Sequence, residues 1–205
     1  MRPDMKIAKS LALLSLVIGA GCASAAVADD KSDHPAGDVG TAHYLKVFGG
    51  QSVLVLGTQD RRVMMGVEYG YGKPDPRLAF RGYPAQLVSE VKLDYSRASG
   101  NFPEDPNSDL AIGAIFYAHY EFPFKSSTGY FVDWGGGAES INHTSRDLPL
   151  SLDGAIMVGA GYFTPISGSS NRLLIGLRYF HISNGGRKYP NFGQNQVQLT
   201  VGVRF

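Results

Sequence analysis

The sequence has very little cysteine, no apolar run long enough for a membrane-spanning helix, and no basic block. Its single cysteine among 205 residues, Cys22, lies in an N-terminal segment with the layout of a secretory signal. The apolar run in that segment, residues 11–21, is shorter than the about 20 residues that a transmembrane helix needs. Disulfide bridges and thiol catalysis are therefore excluded for the chain that follows the signal, and this segment is not predicted to anchor the protein.

The first 28 residues are predicted to be a signal peptide. Three basic residues precede the apolar run, and small residues follow it in "ASAAVADD", which places cleavage after Ala25 or Ala28. The alternative is a lipoprotein site at Cys22 in "GAGC", although a glycine three positions before the cysteine fits such a site poorly. Residues 29–45, which contain "KSDHPAGD", are predicted to form a flexible tail.

The charge balance argues against nucleic acid as a partner. The formal net charge is +1. Residues 1–28 hold three basic residues and one acidic residue, so their removal leaves a charge of about −1 with no basic patch.

Metal chemistry is not predicted either. Four histidines outside the motif discussed below show neither H-x-x-x-H nor H-E-x-x-H spacing: His34, His43, His119 and His143. We therefore expect no zinc site and no cofactor.

What the chain does contain is a repeated alternation of apolar and polar residues, interrupted by turn residues. Eight such segments cover residues 51–58, 61–71, 85–96, 109–122, 129–140, 152–164, 172–183 and 195–205. In the third segment, for example, Leu87, Val91 and Leu93 share one face, and Glu90 and Lys92 share the other. This pattern is typical of outer-membrane barrels, and it predicts an all-β, eight-stranded antiparallel transmembrane β-barrel over residues 46–205.

Alternation alone does not distinguish a soluble barrel from a membrane barrel, but three features favour lipid outside. They are the secretory signal, the aromatic residues near segment ends, and the last segment, "NQVQLTVGVRF". Its terminal Phe205 resembles the assembly signal of bacterial outer-membrane barrels, which predicts recognition by the barrel-assembly machinery.

An eight-stranded barrel leaves an interior that side chains just fill. We therefore predict a plugged barrel rather than a pore, with inward charges that pair with one another. These are Glu68, Glu90, Lys92, Asp94, Glu121, Arg178 and Arg204.

The seventh segment carries two polar residues on its apolar face, His181 and Ser183. Asn195 lies on the same face of the eighth segment, and an alignment of Leu173 with Phe205 would place Ser183 opposite Asn195. With a periplasmic N-terminus, this end of the barrel lies at the outer leaflet. Polar groups on a lipid-facing wall need partners. The residues are therefore either interfacial side chains just above the hydrocarbon or a functional site.

The stretch "HISNGG" followed by "YPNFGQN" resembles the active-site motif of the lipid A 3-O-deacylase family, the PagL-like outer-membrane enzymes. The resemblance implies that Ser183 is the nucleophile and His181 its general base. It also implies that Asn184 and Gly186 help to form the oxyanion site. A hydroxyl needs an adjacent base to attack an ester, and oriented donors must meet the developing oxyanion.

One position departs from that motif. Asn195 stands where the family pattern has a glutamate that orients the histidine. An asparagine can hold the ring by a hydrogen bond, but it does not stabilise the imidazolium by charge; the corresponding change in a serine protease lowers turnover about 10⁴-fold. Glu139 and Asp147 are alternative acids.

Two functions remain open from the sequence. The first is a serine esterase, a carboxylic ester hydrolase, that removes an ester-linked acyl chain from lipid A in the outer leaflet. The second is a non-catalytic barrel that stabilises the membrane or binds lipopolysaccharide. Arg187 and Lys188, beside the motif, are either solvated surface or ligands of lipid A phosphates. The sequence leaves open a homodimer, the acyl position and chain length, and gating by loops.

Overall fold

The computed structural model describes residues 40–53, 61–98, 108–125, 128–145, 147–189 and 191–205. They form a closed barrel of eight antiparallel strands in sequence order, in which the last strand pairs with the first. The strands are β1 (Ala42–Ser52), β2 (Arg62–Pro74), β3 (Ala85–Ala98), β4 (Ser108–Lys125), β5 (Thr128–Ile141), β6 (Leu152–Pro165), β7 (Arg172–Ser183) and β8 (Gln194–Arg204). A 3₁₀ turn at Pro76–Leu78 lies between β2 and β3. Among the described residues, no helix is long and apolar enough to cross a membrane.

The predicted fold is confirmed, and the bounds of β2 to β8 agree with the predicted segments within three residues. The signal peptide, residues 1–28, lies outside the described residues. The prediction for the first strand was wrong: β1 runs from Ala42 to Ser52 rather than over residues 51–58, of which 54–58 lie outside the described residues. Residues 42–45, predicted as part of the tail, therefore belong to the barrel.

The error at β1 has a physical cause in its inward face. Tyr44 and Phe48 point into the barrel and are almost fully buried, as is Lys46 between them. Leu45 and Val47 point outward. Because large apolar side chains occupy both faces of β1, the alternation of apolar and polar residues that marks the other strands is lost here.

The outer wall is apolar and the interior carries the charges, as predicted. Val47 is 57% exposed and Leu177 60% exposed, although both are large and hydrophobic. A belt of such residues is stable against lipid rather than water, which is how transmembrane barrels expose one face of each strand.

The interior charges pair with one another, which confirms the predicted polar core. Arg178, buried on β7, bonds to Glu68 and also reaches Glu90 at 3.4 Å. Lys46 Nζ lies 2.6 Å from Glu90 Oε2. Further buried pairs join Lys92 to Asp94 and Lys92 to Glu139 at 2.8 Å, and the partly buried Arg204 pairs with Glu121 at 2.8 Å. Ion pairs and aromatic side chains thus fill the barrel, and pairing offsets the cost of burying each charge.

The barrel has two distinct ends. We call the end that holds Ala42 and Phe205 the proximal end, and the opposite end the distal end. At the proximal end the backbones of His43 and Phe205 exchange two hydrogen bonds of 2.8 and 3.0 Å, and their rings stack 5.7 Å apart. At the distal end β7 turns back into β8 through residues 184–193.

Candidate active site

Strands β7 and β8 bring His181 and Asn195 together on the outer wall near the distal end. The two residues are direct partners in the β7–β8 register, in which Leu173 pairs with Val203. The predicted alignment of Leu173 with Phe205 was therefore wrong by two residues, and Asn195 faces His181 rather than Ser183. A shift of two residues preserves the face of every side chain, so the prediction that all three share the outward face holds.

Asn195 holds the His181 ring through one oxygen. His181 Nδ1 donates to Asn195 Oδ1 at 2.8 Å, and the Tyr179 hydroxyl donates to the same oxygen. Asn195 is 0% exposed, whereas His181 and Tyr179 are half-buried. With its Nδ1 proton engaged, the neutral ring carries its lone pair on Nε2, the form that a general base requires.

Ser183 is the last residue of β7, and it pairs across the sheet with Gly154 of β6. Its side chain is half-buried. Within the described part of the chain, no hydrogen bond joins the Ser183 hydroxyl to the His181 ring. Hydrogen bonds between catalytic groups are often long or poorly aligned before substrate binds, so the separation does not argue against a nucleophile and base.

Gly193 packs against both of these side chains. A Cβ at this position would lie 2.9 Å from His181 Cε1 and 3.3 Å from Ser183 Cβ. Its φ of +68° is also one that residues with a side chain rarely adopt. The loop backbone therefore passes beside His181 and Ser183 at a point where only glycine fits. This residue is the glycine of "PNFG", to which the motif alone assigned no role.

The two predicted oxyanion residues, Asn184 and Gly186, form the turn that follows Ser183. Arg187 N–H donates to Asn184 O at 3.2 Å, and both central residues, Gly185 and Gly186, have positive φ. Asn184 Oδ1 accepts from Gly186 N–H at 2.8 Å, and Asn184 Nδ2 donates to Lys188 O at 2.8 Å. These donors are thus engaged within the loop, so their role at an oxyanion stays a prediction.

Asn191 connects the two halves of the loop. Its side-chain Oδ1 accepts from Asn184 N–H at 3.2 Å. This contact fixes the backbone immediately after Ser183. The "PNFG" part of the motif was recognised in the sequence, but only the fold shows that its asparagine reaches back to Asn184.

The neighbouring β5–β6 loop braces the β7–β8 loop. Arg187 donates to the backbone carbonyl of Leu152, and Lys188 Nζ donates to Pro149 O at 3.1 Å. Gly193 N–H donates to Asp147 O at 3.2 Å. Arg187 and Lys188 are exposed, as a surface position requires, but both also join the two loops.

The two alternative acids lie in different places. Glu139 points into the barrel, where Lys92 holds its carboxylate at 2.8 Å. His181 points outward, so the wall of the barrel separates the two and Glu139 was a wrong candidate. Asp147 is buried in the β5–β6 loop, and its backbone carbonyl accepts a hydrogen bond from Gly193 N–H beside the site.

The remaining histidines have other partners. His43 Nδ1 lies 2.7 Å from Tyr69 OH at the proximal end, and inside the barrel His119 Nδ1 lies 2.6 Å from Asp133 Oδ1. His143 Nδ1 lies 3.7 Å from Asp109. His34 lies outside the described residues. In the part of the chain that the structure covers, no three His, Cys, Asp or Glu side chains are grouped to hold a metal.

The family of the chain follows from comparison with known proteins. The family model described as lipid A 3-O-deacylase (PagL) matches residues 66–204, which include β3 to β8 and the whole loop after Ser183. The chain belongs to this family. The family suggested by the motif is thereby confirmed, and the lipid A 3-O-deacylase model extends far beyond the motif itself.

The chain is also similar to one curated protein and to solved structures. Lipid A deacylase PagL of Bordetella bronchiseptica is 32% identical over 125 residues, which are 58% of this chain. The chain spans 62% of the length of that relative. The solved outer membrane enzyme PagL covers 78% of this chain and 97% of its own, with 18% identity and a TM-score of 0.56. Neisserial surface protein A covers 80% and 95%, with 17% identity and a TM-score of 0.44.

The solved PagL structure shows the likeness of fold, and the family model supplies the assignment. Together with the apolar outer wall, they identify this chain as a transmembrane β-barrel of the lipid A 3-O-deacylase family.

Proposed function

We propose that this protein is an outer-membrane esterase that removes the ester-linked acyl chain at the 3-O position of lipid A. The observation that carries the proposal is the pairing of His181 with Asn195 on the lipid-facing wall, one outward position away from Ser183. The family's own description, lipid A 3-O-deacylase, supplies the substrate and the position.

In the proposed reaction, Ser183 Oγ attacks the carbonyl carbon of the ester while His181 Nε2 takes the hydroxyl proton. The tetrahedral intermediate collapses, the bond to the sugar oxygen breaks, and the imidazolium returns its proton to that oxygen. Water then attacks the acyl-serine with the same histidine as base. The two products are a fatty acid and a lipid A molecule with a free hydroxyl at the 3-O position.

The placement of these residues suits such a substrate. An acyl ester of a membrane lipid lies at the boundary between headgroups and hydrocarbon, and it reaches a barrel from outside. His181 and Ser183 lie on the outer wall near one end, so a lipid can approach them without leaving the bilayer. With a periplasmic N-terminus, the distal end lies in the outer leaflet, the side on which we place the reaction.

In this mechanism Asn195 performs only one of the two functions of the family's acid. Its oxygen holds the ring in the orientation and tautomer that the base needs. It adds no charge to stabilise the imidazolium, which a carboxylate would do. We therefore expect turnover below that of a site with glutamate at this position.

A second function is favoured by two observations. The amide at Asn195 lacks the charge of an acid, and the donors of Asn184 and Gly186 are engaged within the loop. A barrel that binds lipopolysaccharide or stabilises the membrane without hydrolysis would tolerate both. This alternative predicts binding of lipid A without release of fatty acid.

Fatty acid release by the purified protein in detergent separates the two functions. Ser183→Ala and His181→Ala should each abolish release from lipid A, and the double variant should be no worse than either, because residues that act as a unit fail together. Ser140→Ala is the matched control, since Ser140 is an exposed serine of β5 near the same end of the barrel. Full release of fatty acid by Ser183→Ala would exclude Ser183 as the nucleophile. Wild-type protein that binds lipid A without releasing fatty acid would favour the second function.

Asn195→Glu tests the departure from the family motif. If Asn195 only orients His181, a glutamate should maintain or raise the rate, and Asn195→Ala should lower it. If the wild type is inactive and Asn195→Glu gains activity, the protein is a former enzyme that lost its activity with the acid.

A further inference from the structure

Tyr179 makes a contact that the motif does not include. It lies two residues before His181 on the outward face of β7, and its hydroxyl donates to Asn195 Oδ1. The same oxygen accepts from His181 Nδ1 at 2.8 Å. One amide oxygen thus receives two donors, one from the base and one from a residue outside the motif.

The orientation of the Asn195 amide decides which nitrogen of His181 carries the proton. With Oδ1 toward the ring, Nδ1 must donate, and Nε2 keeps the lone pair that takes the proton from Ser183. With the amide turned over, Nδ2 would face the ring, Nδ1 would have to accept, and Nε2 would carry the proton. The second arrangement leaves the ring unable to act as a base at Nε2.

A carboxylate does not have this ambiguity, because both of its oxygens accept. An asparagine at the same place does have it, so in this chain the orientation of the amide affects the tautomer of His181. The Tyr179 hydroxyl favours one of the two orientations. If the amide turned over, the hydroxyl would face an NH₂ group, and its own proton would lose its acceptor on an apolar wall.

We propose that Tyr179 is a positioning residue that fixes the amide of Asn195 and thereby holds His181 in the Nδ1–H tautomer. The inference rests on the proposed function for its effect on catalysis, but the tautomer itself is a property of the resting protein. Tyr179 touches neither the reacting atoms nor the ester in this scheme, and it acts through Asn195.

The first test compares turnover in two backgrounds. Tyr179→Phe keeps the ring and removes the hydroxyl, and it should lower kcat for fatty acid release about ten-fold, the effect of one lost hydrogen bond, with little change in KM. In an Asn195→Asp background, which has the same shape and two acceptor oxygens, the same substitution should cost less than about two-fold. Tyr95→Phe is the control, since Tyr95 lies on the outward face of β3 and its hydroxyl has no hydrogen bond to a described residue.

The second test needs no activity. In protein with ¹⁵N-labelled histidine, the imidazole shifts of His181, assigned by comparison with His181→Ala, report which nitrogen carries the proton. Wild type and Tyr95→Phe should show the Nδ1–H form, whereas Tyr179→Phe should show a mixture with the Nε2–H form.

The outcomes separate this inference from the proposed function. An unchanged tautomer in Tyr179→Phe would overturn the role of Tyr179, whatever the enzyme does. An equal loss of kcat in the wild-type and Asn195→Asp backgrounds would also overturn it, because the effect would then be independent of the amide. A changed tautomer in a protein that releases no fatty acid would uphold the inference and refute the esterase.

Discussion

His181 and Asn195 are direct cross-strand partners, and a 2.8 Å hydrogen bond joins them on the lipid-facing wall of the barrel. Asn195 is fully buried although it points outward, because the residues around it cover it from the lipid. A polar pair on an apolar wall is costly unless each group has its partner, and here both do. The hydrogen bond thus holds both polar side chains in place on the outer wall, and Ser183 and Gly193 lie beside them.

The first prediction concerns Gly193. Gly193→Ala should reduce fatty acid release at least ten-fold, because the added Cβ would lie 2.9 Å from His181 Cε1 and 3.0 Å from Ile182 O. The barrel should still form, which unheated gel migration would show.

Gly168→Ala is the control for backbone strain. Gly168 has a φ of +74°, close to that of Gly193, but nothing lies within 4 Å of an added Cβ. It should fold with similar strain and keep its activity. Equal loss in both variants would mean that strain, rather than contact with His181, is responsible.

The second prediction concerns Arg187. If its role is to join the loops by donating to Leu152 O and Asn184 O, then Arg187→Lys should lower kcat nearly as much as Arg187→Ala, because a lysine lacks the two-sided guanidinium donors. If it binds a lipid A phosphate, lysine should substitute well and the loss should appear in KM. Steady-state kinetics of the two variants decide between these roles.

The third prediction concerns the interior charges. Arg178→Leu should destabilise the barrel by about 3–5 kcal/mol, because it removes the guanidinium that bonds to the buried Glu68 and leaves that carboxylate with only the more distant Lys46, at 3.9 Å. The temperature at which the folded gel band converts to the unfolded band should fall. Arg77→Ala removes an exposed pair with Asp75 and should leave that temperature nearly unchanged. A barrel that tolerates Arg178→Leu would contradict the view that paired charges maintain the core.

Alternation predicts a strand well only where its two faces differ in chemistry. On β3 the two faces differ sharply in chemistry, and the predicted bounds agree with the structure within two residues. On β1 the interior is filled by Tyr44 and Phe48, which are as apolar as the lipid-facing residues, so the strand could not be seen in the pattern. In a barrel filled by side chains, a strand whose inward residues are aromatic does not show the alternation of apolar and polar residues.

The site was predictable by face but not by contact. Odd residue numbers alone placed His181, Ser183 and Asn195 on one wall, because successive side chains of both strands in this hairpin point to opposite faces. The register was not predictable, because pairing depends on the length and path of a ten-residue loop. For the same reason the contacts of Tyr179 and Gly193 with the site could be found only in the folded chain.

The fourth prediction concerns assembly. Deletion of Phe205 should lower the amount of barrel in the outer membrane while export across the inner membrane continues. It removes two backbone hydrogen bonds and a stacked ring at the β1–β8 closure, in addition to the terminal aromatic itself. Phe205→Tyr, which keeps both, is the control. Normal outer-membrane levels of the truncated protein would refute the assembly role.

The lipid A mass spectrum of cells that express this protein tests the central claim most directly. Wild-type protein should produce a lipid A species that has lost one ester-linked acyl chain, and cells with Ser183→Ala at the same outer-membrane level should retain the intact species. Lipid A that is unchanged by wild-type protein, or equally deacylated by Ser183→Ala, would contradict the account.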